Sequence, residues 1–454
     1  MEAREFEEAR EVLDSHIEET AEEEISSADL ADHLKTLKKH DEEKYVEYLE
    51  KLDPEDLANV ALEMPDHMLE DVIETIPHEK IVEAIEELES DDQAELFQNI
   101  EEIDEEKAKQ IFEKLDEEDQ KDILQISNYE DDEAGAYMQT EVFSAKTNET
   151  LKQAVDRLRN LKESGEIENV FQLFVLDESE RLISAFSTSD LILYDFNLTL
   201  KEIIDKYDDE YKPHFATDTD KIDEVIKDFE EFDLSVMPVV DTGGVLIGRI
   251  TSDDIHDLIQ DRATEQIYHL AGVNDEAEEE DTLVKAGSSR AAWLFVNLCT
   301  AIVSSAIIGL FDSTIETIVA LAILMPIVAS MGGNTGTQAL TVTVRRLALG
   351  EIEFKDKKNV LFREVAIAFT NGMIFAIIMG FVAYFWFGIK LLGVVIAMSM
   401  VINFTFAGIF GTVIPLTLKK FGIDPAVGSS VLLTTVTDIV GFFSFLGLAT
   451  WILL

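Results

Sequence analysis

The 454-residue sequence carries a formal net charge of −57, and this charge is confined to one part of the chain. Residues 1–285 carry about −59 and the remaining residues about +2, when Lys and Arg count as +1 and Asp and Glu as −1. So acidic a body repels nucleic acid and anionic headgroups and attracts cations, divalent ions most strongly. The composition therefore argues against a nucleic-acid-binding protein and indicates metal ions as partners.

The first 125 residues repeat a helix-start signal about every 12 residues. Asp or Ser favours the N-cap and Pro the first helical position, so this spacing predicts a stack of short helices of two to three turns. For any single carboxylate in this region, the simplest interpretation is a solvated acidic surface. The signals stand at Asp53-Pro54, Pro65-Asp66, Ile76-Pro77, Glu89-Ser90, Ile103-Asp104 and Leu115-Asp116.

From residue 129 to about residue 262 the pattern changes to strands alternating with amphipathic helices, and it occurs twice. The predicted strand pairs cover residues 171–177 and 181–186 in the first copy, and 236–241 and 245–250 in the second. The second copy contains Gly248, Ile250, Thr251 and Asp254 in the order Gly-x-Ile-Thr-x-x-Asp. This arrangement resembles a tandem pair of cystathionine-synthase-type (CBS) regulatory modules.

The CBS resemblance implies that Thr251 and Asp254 hold a nucleotide phosphate and ribose, as the matching residues often do in that family. The first copy has Ser184 in place of the glycine, which argues against a site there. No glycine-rich phosphate loop stands elsewhere in the sequence. A purely structural pair is therefore favoured, and nucleotide binding stays open as the alternative.

Five C-terminal stretches reach the roughly 18 to 20 apolar residues that a bilayer requires: about 291–310, 315–344, 365–388, 391–418 and 426–453. The acidic, polar N-terminus predicts no signal peptide. Ten basic residues fall on one side of the five spans and Lys390 alone on the other, which predicts a cytosolic N-terminus and an external C-terminus. The single cysteine, Cys299, excludes an intrachain disulfide. The ten are Lys285, Arg290, Arg345, Arg346, Lys355, Lys357, Lys358, Arg363, Lys419 and Lys420.

The second span carries polar residues and glycines at the depth of the membrane centre. The segment Ser330–Gln338, with Pro326 before it, is predicted to interrupt the helix, which a membrane tolerates only where backbone faces protein or a water-filled cavity. A close helix crossing would explain the glycines alone. Because Asn334, Thr335, Thr337 and Gln338 add oxygen and amide groups that packing does not need, an ion pathway is favoured.

The last span places one carboxylate well inside the membrane. Spacings of three and four predict a single helical face for Ser430, Thr434, Thr437, Asp438, Gly441 and Ser444. Burying Asp438 costs several kcal/mol by order of magnitude, so a functional role is its default interpretation; capping or pairing within the bundle is the alternative. One carboxylate per subunit with surrounding hydroxyls suits Mg²⁺, which keeps several of its waters, better than Ca²⁺, which needs more protein oxygens.

Four motifs, taken together and in their order along the chain, resemble those of the MgtE-type magnesium channel family. The resemblance covers essentially the whole chain. The resemblance implies a homodimer whose cytosolic part closes the pore when it binds Mg²⁺. It also implies that Asp438 is the ion-selecting residue. The motifs are Gly332-Gly333-Asn334-Thr335-Gly336-x-Gln338, Thr434-Thr435-x-Thr437-Asp438-x-x-Gly441, Glu86-Glu87-Leu88-x-x-Asp91-Asp92-x-Ala94-Glu95, and Thr251-x-Asp253-Asp254-x-x-Asp257 continuing to Ala263-Thr264-Glu265.

The family match also implies where regulatory ions bind. Asp91 and Glu95 are expected to face Asp254 and Asp257, with Glu265 on the connecting helix. The chain departs from the family pattern where Glu95 replaces a common Asp, and where Arg262 and Gln266 replace expected carboxylates. A cation at position 262 predicts that one regulatory site is weakened or lost. The acidic run Asp275–Asp281 is interpreted as a solvated linker.

The predicted fold is a multi-domain membrane protein and a homodimer. An all-α superhelical N-domain covers residues 1–128, and two α/β CBS domains cover 129–196 and 197–262. A connecting plug helix with its acidic linker covers 263–286, and a transmembrane domain of five helices covers 287–454. The sequence shows no nucleophile paired with a general base, and the eight His have no spacing typical of metal ligands. It therefore does not predict an enzyme.

The predicted function is a passive, magnesium-selective channel of the plasma membrane that cytosolic Mg²⁺ closes, with Mg²⁺ as both cargo and regulator. A Na⁺- or H⁺-coupled exchanger using Asp438 as its titrating carrier is the alternative within transport. A nucleotide-sensing membrane regulator, with ATP bound at the CBS pair, is the alternative from another class. The expected partners are a second copy of the chain, the membrane and Mg²⁺, and no nucleic acid.

Overall fold

The structure is a computed structural model that describes residues 2–18, 25–164, 167, 170–206, 212–273, 283–349, 352 and 357–454. It divides into two compact units, Met1–Gln260 and Asp261–Leu454. The acidic run Asp275–Asp281 and the predicted loop cation Lys355 lie outside the described residues.

Nine helices, counted over the described residues before position 130, form the N-terminal part of the first unit. Six of them begin at the predicted cap signals: the Asp53, Asp104 and Asp116 carboxylates accept N-terminal amide hydrogen bonds, and Pro65, Pro77 and Glu89 occupy the other caps. One continuous apolar core runs through this stack, from Leu13 to Ile123. The helices are α1 (Glu2–Ile17), α2 (Ser27–His40), α3 (Glu42–Lys51), α4 (Pro54–Leu62), α5 (Asp66–Thr75), α6 (His78–Glu86), α7 (Ser90–Ile103), α8 (Glu105–Phe112) and α9 (Glu117–Ile126).

The rest of the first unit contains two copies of the same small α/β motif. Each copy has a three-stranded sheet in which the first strand is parallel to the middle strand and the third is antiparallel to it. The first copy comprises β1 (Ser144–Lys146), α10 (Leu151–Ser164), β2 (Gln172–Leu176), β3 (Leu182–Ser187) and α11 (Leu200–Lys206). The second comprises β4 (Ala216–Thr217), α12 (Ile222–Phe232), β5 (Val236–Val240), β6 (Leu246–Thr251) and α13 (Ser252–Ala271).

The two copies match residue by residue at their hairpins. Asp177 Oδ1 accepts from the amides of residues 179 and 181, and Asp241 Oδ1 accepts from those of residues 243 and 245. Each turn then passes through a positive φ, 63° at Glu180 and 80° at Gly244. The hairpins pair with each other, because Leu182 donates to the Gly244 carbonyl and Leu246 to that of Glu180. The repeat predicted from the sequence is therefore confirmed.

Helix α13 continues the second CBS copy without a break, so the predicted connecting helix begins as the end of a CBS helix. The helices that follow in the second unit are α14 (Leu283–Gly309), α15 (Asp312–Thr317), α16 (Ala320–Ala348), α17 (Lys357–Phe387), α18 (Lys390–Lys420) and α19 (Ser429–Leu453). Four helical segments of the described chain are long and apolar enough to cross a membrane, namely Gly287–Gly309, α17, α18 and α19. The predicted second span corresponds to α16, which is long enough but is not among these four.

The predicted interruption of the second span is wrong, because α16 is one continuous helix of 29 residues through Ser330–Gln338. Its glycines are tolerated for a packing reason. A Cβ on Gly336 would lie 2.9 Å from Leu433 of α19, and one on Gly332 would overlap the Asn403 amide of α18. The Thr335 hydroxyl donates a hydrogen bond to the Met331 carbonyl of the same helix, at 2.9 Å. The helix crossing considered as the alternative thus accounts for Gly332 and Gly336.

Candidate ion pathway and acidic cluster

The helix α16 has a polar face as well as a packed one. Gly332 and Gly336 are buried, whereas the side chains of Asn334, Thr337 and Gln338 are exposed in the described chain. A Cβ added to Gly333 would meet nothing within 4 Å. In an apolar membrane interior, exposed amide and hydroxyl groups are unfavourable unless water or protein covers them. This face is therefore the side of α16 on which a hydrated pathway fits.

The predicted polar face of α19 divides into two rows. Thr437 is fully buried, and a Cβ on Gly441 would lie 2.7 Å from the Asn403 amide nitrogen. Thr434 is exposed and Asp438 is half-buried, on the neighbouring row. The sequence grouped these residues on one face, but only the Thr434 and Asp438 row is open.

The hydroxyls beside Asp438 have their hydrogens committed to the helix backbone. Thr434 donates to the Ser430 carbonyl at 2.8 Å, and Thr437 donates to the Thr434 carbonyl at 3.0 Å. The exposed Thr434 oxygen retains lone pairs that can accept hydrogen bonds from water, whereas Thr437 is fully buried. Water molecules around a cation point their hydrogens outward, so acceptor oxygens next to a carboxylate suit a hydrated divalent ion.

Asn403 is a buried polar residue that the sequence analysis missed. It is fully buried in α18, where its Nδ2 donates to the Val328 carbonyl of α16 at 2.9 Å. Its Oδ1 is buried and has no hydrogen-bond partner within the described chain. The amide thus joins α16, α18 and the Gly441 row of α19. An Asn in the middle of a 31-residue apolar helix is the sequence signal that could have identified it.

A second candidate site lies in the first unit, where two helix N-termini bring carboxylates together. Asp91 and Asp92 occupy the first turn of α7, and Asp253 and Asp254 the first turn of α13. The positive end of each helix dipole favours its own pair of carboxylates. These four residues, with Glu89 and Glu95, are called the acidic cluster below.

The pKa values of the acidic cluster show how unfavourable its charge is. Burial raises the pKa of Asp91 well above its usual range, and the adjacent Asp254 adds to this rise. Burial also raises the pKa of Asp92 to about 7, with further contributions from Asp254 and Glu95. Burial raises the pKa of Glu89 to about 7, although the Arg249 guanidinium opposes that shift. Carboxylates in this condition are stabilised by any cation that enters.

The α7 end of the cluster is fixed to the start of the CBS region. The Ser90 hydroxyl donates to Glu141 at 2.9 Å and accepts from the Thr140 amide at 2.7 Å. Buried Arg249 donates to Gln139 Oε1 at 3.0 Å and to Glu89 Oε1 at 3.2 Å. Fixed backbones on both sides keep the carboxylates close despite their repulsion.

The predicted regulatory residues are only partly brought together. The charge of Asp254 helps to raise the pKa of Asp91, so these two carboxylates are close. Glu95 is exposed, and its charge helps to raise the pKa of Asp92 instead. Asp257 interacts with Asp254, and it also contributes to the raised pKa of Glu63, for which burial is the main cause. Glu265 belongs to the second unit, where its carboxylate lies 3.8 Å from His269. The sequence motifs contain Asp92 and Asp253 without giving them a role, and Glu89 and Glu63 were not expected among these charged neighbours.

The acidic cluster supplies carboxylate oxygens, the type of ligand that Mg²⁺ prefers, but the described residues do not form a complete set of direct ligands. Within the described residues, no three His, Cys, Asp or Glu side chains are arranged to hold a metal ion directly. Mg²⁺ usually keeps several waters and binds one or two carboxylates, and the acidic cluster offers carboxylates of that kind at close range.

Thr251 and Asp254, the residues predicted to bind a nucleotide, are hydrogen-bonded to each other. The Thr251 hydroxyl donates to Asp254 Oδ2 at 2.6 Å, and Thr251 is buried. Gly248, part of the same signature, has a packing role, because a Cβ there would lie 2.8 Å from the Gln139 carbonyl oxygen. Ser184 occupies the equivalent register position of the first copy, opposite Val175 as Gly248 is opposite Val239. These contacts agree with the structural interpretation of the pair.

Membrane-length helices that carry a polar face, joined to an acidic helical domain and a CBS pair, define a membrane transporter of divalent cations. Three family descriptions match the chain: the MgtE divalent cation transporter at residues 325–448, the MgtE intracellular N domain at 25–132, and the CBS domain at 134–197 and 200–261.

Similar proteins give the family more narrowly. The magnesium transporter MgtE of Thermus thermophilus is 32% identical over 72% of this chain and 72% of its own length, and that of Bacillus subtilis is 31% identical over 72% and 70%. A crystal structure of the cytosolic domain of the Mg²⁺ channel MgtE in complex with ATP is 27% identical, with a TM-score of 0.47, over 55% of this chain and 93% of that one. The chain belongs to the MgtE family of magnesium transporters. These relatives are transporters rather than enzymes, as the sequence predicted.

Proposed function

We propose that the protein is a dimeric, magnesium-selective channel of the plasma membrane, through which hydrated Mg²⁺ moves passively into the cytosol. The observation that carries this proposal is the position of Asp438, half-buried on the open row of α19 beside the exposed Thr434. The exposed polar face of α16 supplies further oxygen and amide groups, from Asn334 to Gln338. In a dimer, two Asp438 carboxylates would attract one divalent ion.

The carboxylates of the pathway select by charge and leave the ion its inner waters. Mg²⁺ sheds its first hydration shell reluctantly. The Asp438 carboxylates and the exposed Thr434 oxygens accept hydrogen bonds from those waters, which attracts the ion without removing its inner hydration shell. A monovalent ion gains about half the Coulomb energy in the same field, so it competes poorly.

Closure by cytosolic Mg²⁺ is the second part of the proposal. Close pairs of carboxylates repel by about 1 to 4 kcal/mol each, depending on the local dielectric. Bound Mg²⁺ would remove that repulsion in the acidic cluster and favour a compact state, and loss of Mg²⁺ would favour an expanded one. The partly buried Asp91 next to Asp254 supports this part, since the two negative charges repel each other.

The topology and the domain limits are part of the same proposal. Of the basic residues used for the topology, Lys285 and Arg290 lie near the start of α14, and the other described ones lie in the first turns of α17 and at the ends of α16 and α18. Lys390 stands at the opposite end of the α17–α18 pair. Under the positive-inside rule the N-terminus is cytosolic and the C-terminus external. The domain limits remain 1–128, 129–196, 197–262, 263–286 and 287–454.

We propose a structural role for the CBS pair. The 2.6 Å hydrogen bond between Thr251 and Asp254 uses the hydroxyl hydrogen that Thr251 would donate to a phosphate, which favours the structural role. Titration of the full chain with labelled ATP, beside Thr251→Val, tests this point. Tight binding that the substitution abolishes would replace the structural role with a nucleotide site.

The deciding experiment is Mg²⁺ uptake by liposomes that contain the full chain, with pH and Na⁺ matched on both sides. Asp438→Asn should abolish uptake, and the control Asp312→Asn, an exposed carboxylate at the start of α15, should preserve it. Uptake that requires a pH or Na⁺ gradient would establish an exchanger instead. Unchanged uptake in Asp438→Asn would remove Asp438 from the pathway.

A further inference from the structure

A groove lies between α17 and α18, near the short turn that connects them. Its volume is about 450 Å³, within the ~300–1,000 Å³ typical of small-molecule sites. Most of its surface is apolar, and a phenol and an ammonium group stand among the residues that line it. The lining includes Ile377, Phe381, Tyr384, Lys390, Val394 and Met398.

Two glycines bring the helix backbones together at the floor of this groove. A Cβ on Gly393 would lie 2.5 Å from the Gly380 carbonyl oxygen, so only glycine permits this approach. The larger side chains around the crossing stay apart at the open side, where Phe381 is 61% and Val394 48% exposed. The result is a slot with an apolar wall that is open to the surroundings of the helix pair.

One end of the groove carries the residue types that are typical of the headgroup region of a membrane. The last turn of α17 contains Tyr384, Phe385 and Trp386, and the latter two side chains are exposed. Trp and Tyr concentrate at the membrane–water interface. Lys390 begins α18 directly after the turn and is exposed, so its ammonium adds to the positive end of that helix.

We propose that this groove binds one phospholipid with an anionic headgroup. One acyl chain lies over the Gly380–Gly393 crossing, and the phosphate meets Lys390 and the first amides of α18. A lysine near an anionic lipid surface contributes about 1 kcal/mol of attraction, and Lys390 supplies that charge at the end of the groove. The site is separate from the polar faces of α16 and α19, and it does not depend on the direction of ion flow.

Charge favours a lipid over a second copy of the chain at this groove. A symmetric contact between two copies places the same patch on both sides. It would place two Lys390 ammonium groups at the same end of the contact, and their like charges disfavour that arrangement. An anionic headgroup instead neutralises Lys390, and its acyl chain covers the exposed Phe381 and Val394.

The test uses the purified full chain and equal amounts of phosphatidylglycerol and phosphatidylcholine with identical acyl chains. Native mass spectrometry counts the lipid molecules retained per subunit. The variants are Lys390→Gln, which removes the charge, and Val394→Trp, which fills the groove. The control is Lys420→Gln, an exposed lysine at the other end of α18. Elution volume and Mg²⁺ uptake confirm that each variant is folded.

Wild type and Lys420→Gln should each retain one phosphatidylglycerol per subunit in preference to phosphatidylcholine. Lys390→Gln should lower that preference about fivefold. Val394→Trp should lose both lipids. Equal retention of the two lipids by wild type, or unchanged retention in both variants, would overturn the proposal. So would efficient cross-linking between Val394→Cys copies in a Cys299→Ser background, because it would show that a second copy covers the groove.

Discussion

The imidazole Nδ1 of His269, in the last turn of α13, lies 2.8 Å from Oδ2 of Asp424, in the loop between α18 and α19. The other carboxylate oxygen of Asp424 accepts the Ala426 amide at 2.9 Å, which holds the loop in shape. The neighbouring Leu270 packs against a small core that includes Leu433 of the pathway helix. The end of α13, which forms the first part of the proposed connecting segment, is thus hydrogen-bonded to the loop that precedes the helix of Asp438.

Removal of the His269–Asp424 bond should weaken the response of the channel to cytosolic Mg²⁺. His269→Ala is expected to raise the Mg²⁺ concentration for half-closure about tenfold, since a hydrogen bond to a charged group contributes roughly 1.5–3 kcal/mol and 1.4 kcal/mol is a factor of ten. Flux measured against Mg²⁺ on the cytosolic side gives that concentration. His256→Ala, an exposed histidine of the same helix, is the control. An unchanged half-closing concentration in His269→Ala would show that this contact has no part in gating.

Neutralising one member of the acidic cluster should replace part of the effect of Mg²⁺. In Asp92→Asn, less repulsion remains against Asp254 and Glu95. The Mg²⁺-free protein should therefore resist proteolysis better than wild type, and added Mg²⁺ should protect it by a smaller factor. Glu105→Gln, an exposed acid in the first turn of α8, should behave as wild type. Equal protection by Mg²⁺ in Asp92→Asn and wild type would contradict a regulatory role for the cluster.

The stability of the Mg²⁺-free protein should fall as pH rises from about 4.5 to 7. The pKa of Glu89 and that of Asp92 are raised to about 7 in the folded chain, above ordinary values of 4.5 and 3.8. Between these limits the folded state holds more protons than the unfolded state, so rising pH destabilises it.

The pH effect can be measured as the unfolding temperature of the full chain at each pH, with and without Mg²⁺. The fall should amount to several degrees, and Mg²⁺ should reduce it at neutral pH. The double variant Glu89→Gln, Asp92→Asn should show a flatter profile, and Glu89→Gln keeps an oxygen to accept from Arg249. A wild-type profile as flat as that of the double variant would refute the assignment.

Local patterns predicted the fold well where each element carries its own signal. Cap residues such as Asp53 and Asp116 located the N-terminal helices, and the repeated hairpins located both CBS sheets. The signal failed at α16, because glycine permits helix interruption and close helix crossing equally well. Only the neighbours across the crossing, Asn403 and Leu433, decide between them.

The candidate sites were less predictable, because they depend on contacts between distant segments. The position of Asp438 follows from one carboxylate in an apolar run. In contrast, the neighbours of Asp91 are set by how α7 and α13 meet, more than 150 residues apart. Glu89 was recognised only as part of a helix-start signal and Asp253 only as part of a motif, and neither pattern predicts that their carboxylates lie close to Asp91 and Asp92. Asn403 was missed because a lone amide has no motif, although its depth in α18 is a signal in itself.

Two adjacent glycines of α16 provide a test of the helix crossing. Gly332→Ala should destabilise the protein, because its Cβ would overlap the Asn403 amide, which the Val328 carbonyl holds in place. Gly333→Ala should leave the unfolding temperature unchanged or raise it slightly, since a Cβ there meets nothing within 4 Å and alanine favours a helix by about 1 kcal/mol over glycine. Thermal unfolding in detergent, followed by size-exclusion chromatography, compares the two. Similar unfolding temperatures for both variants would mean that α16 and α18 do not cross at Gly332, and the packed and open faces of α16 would then have to be reassigned.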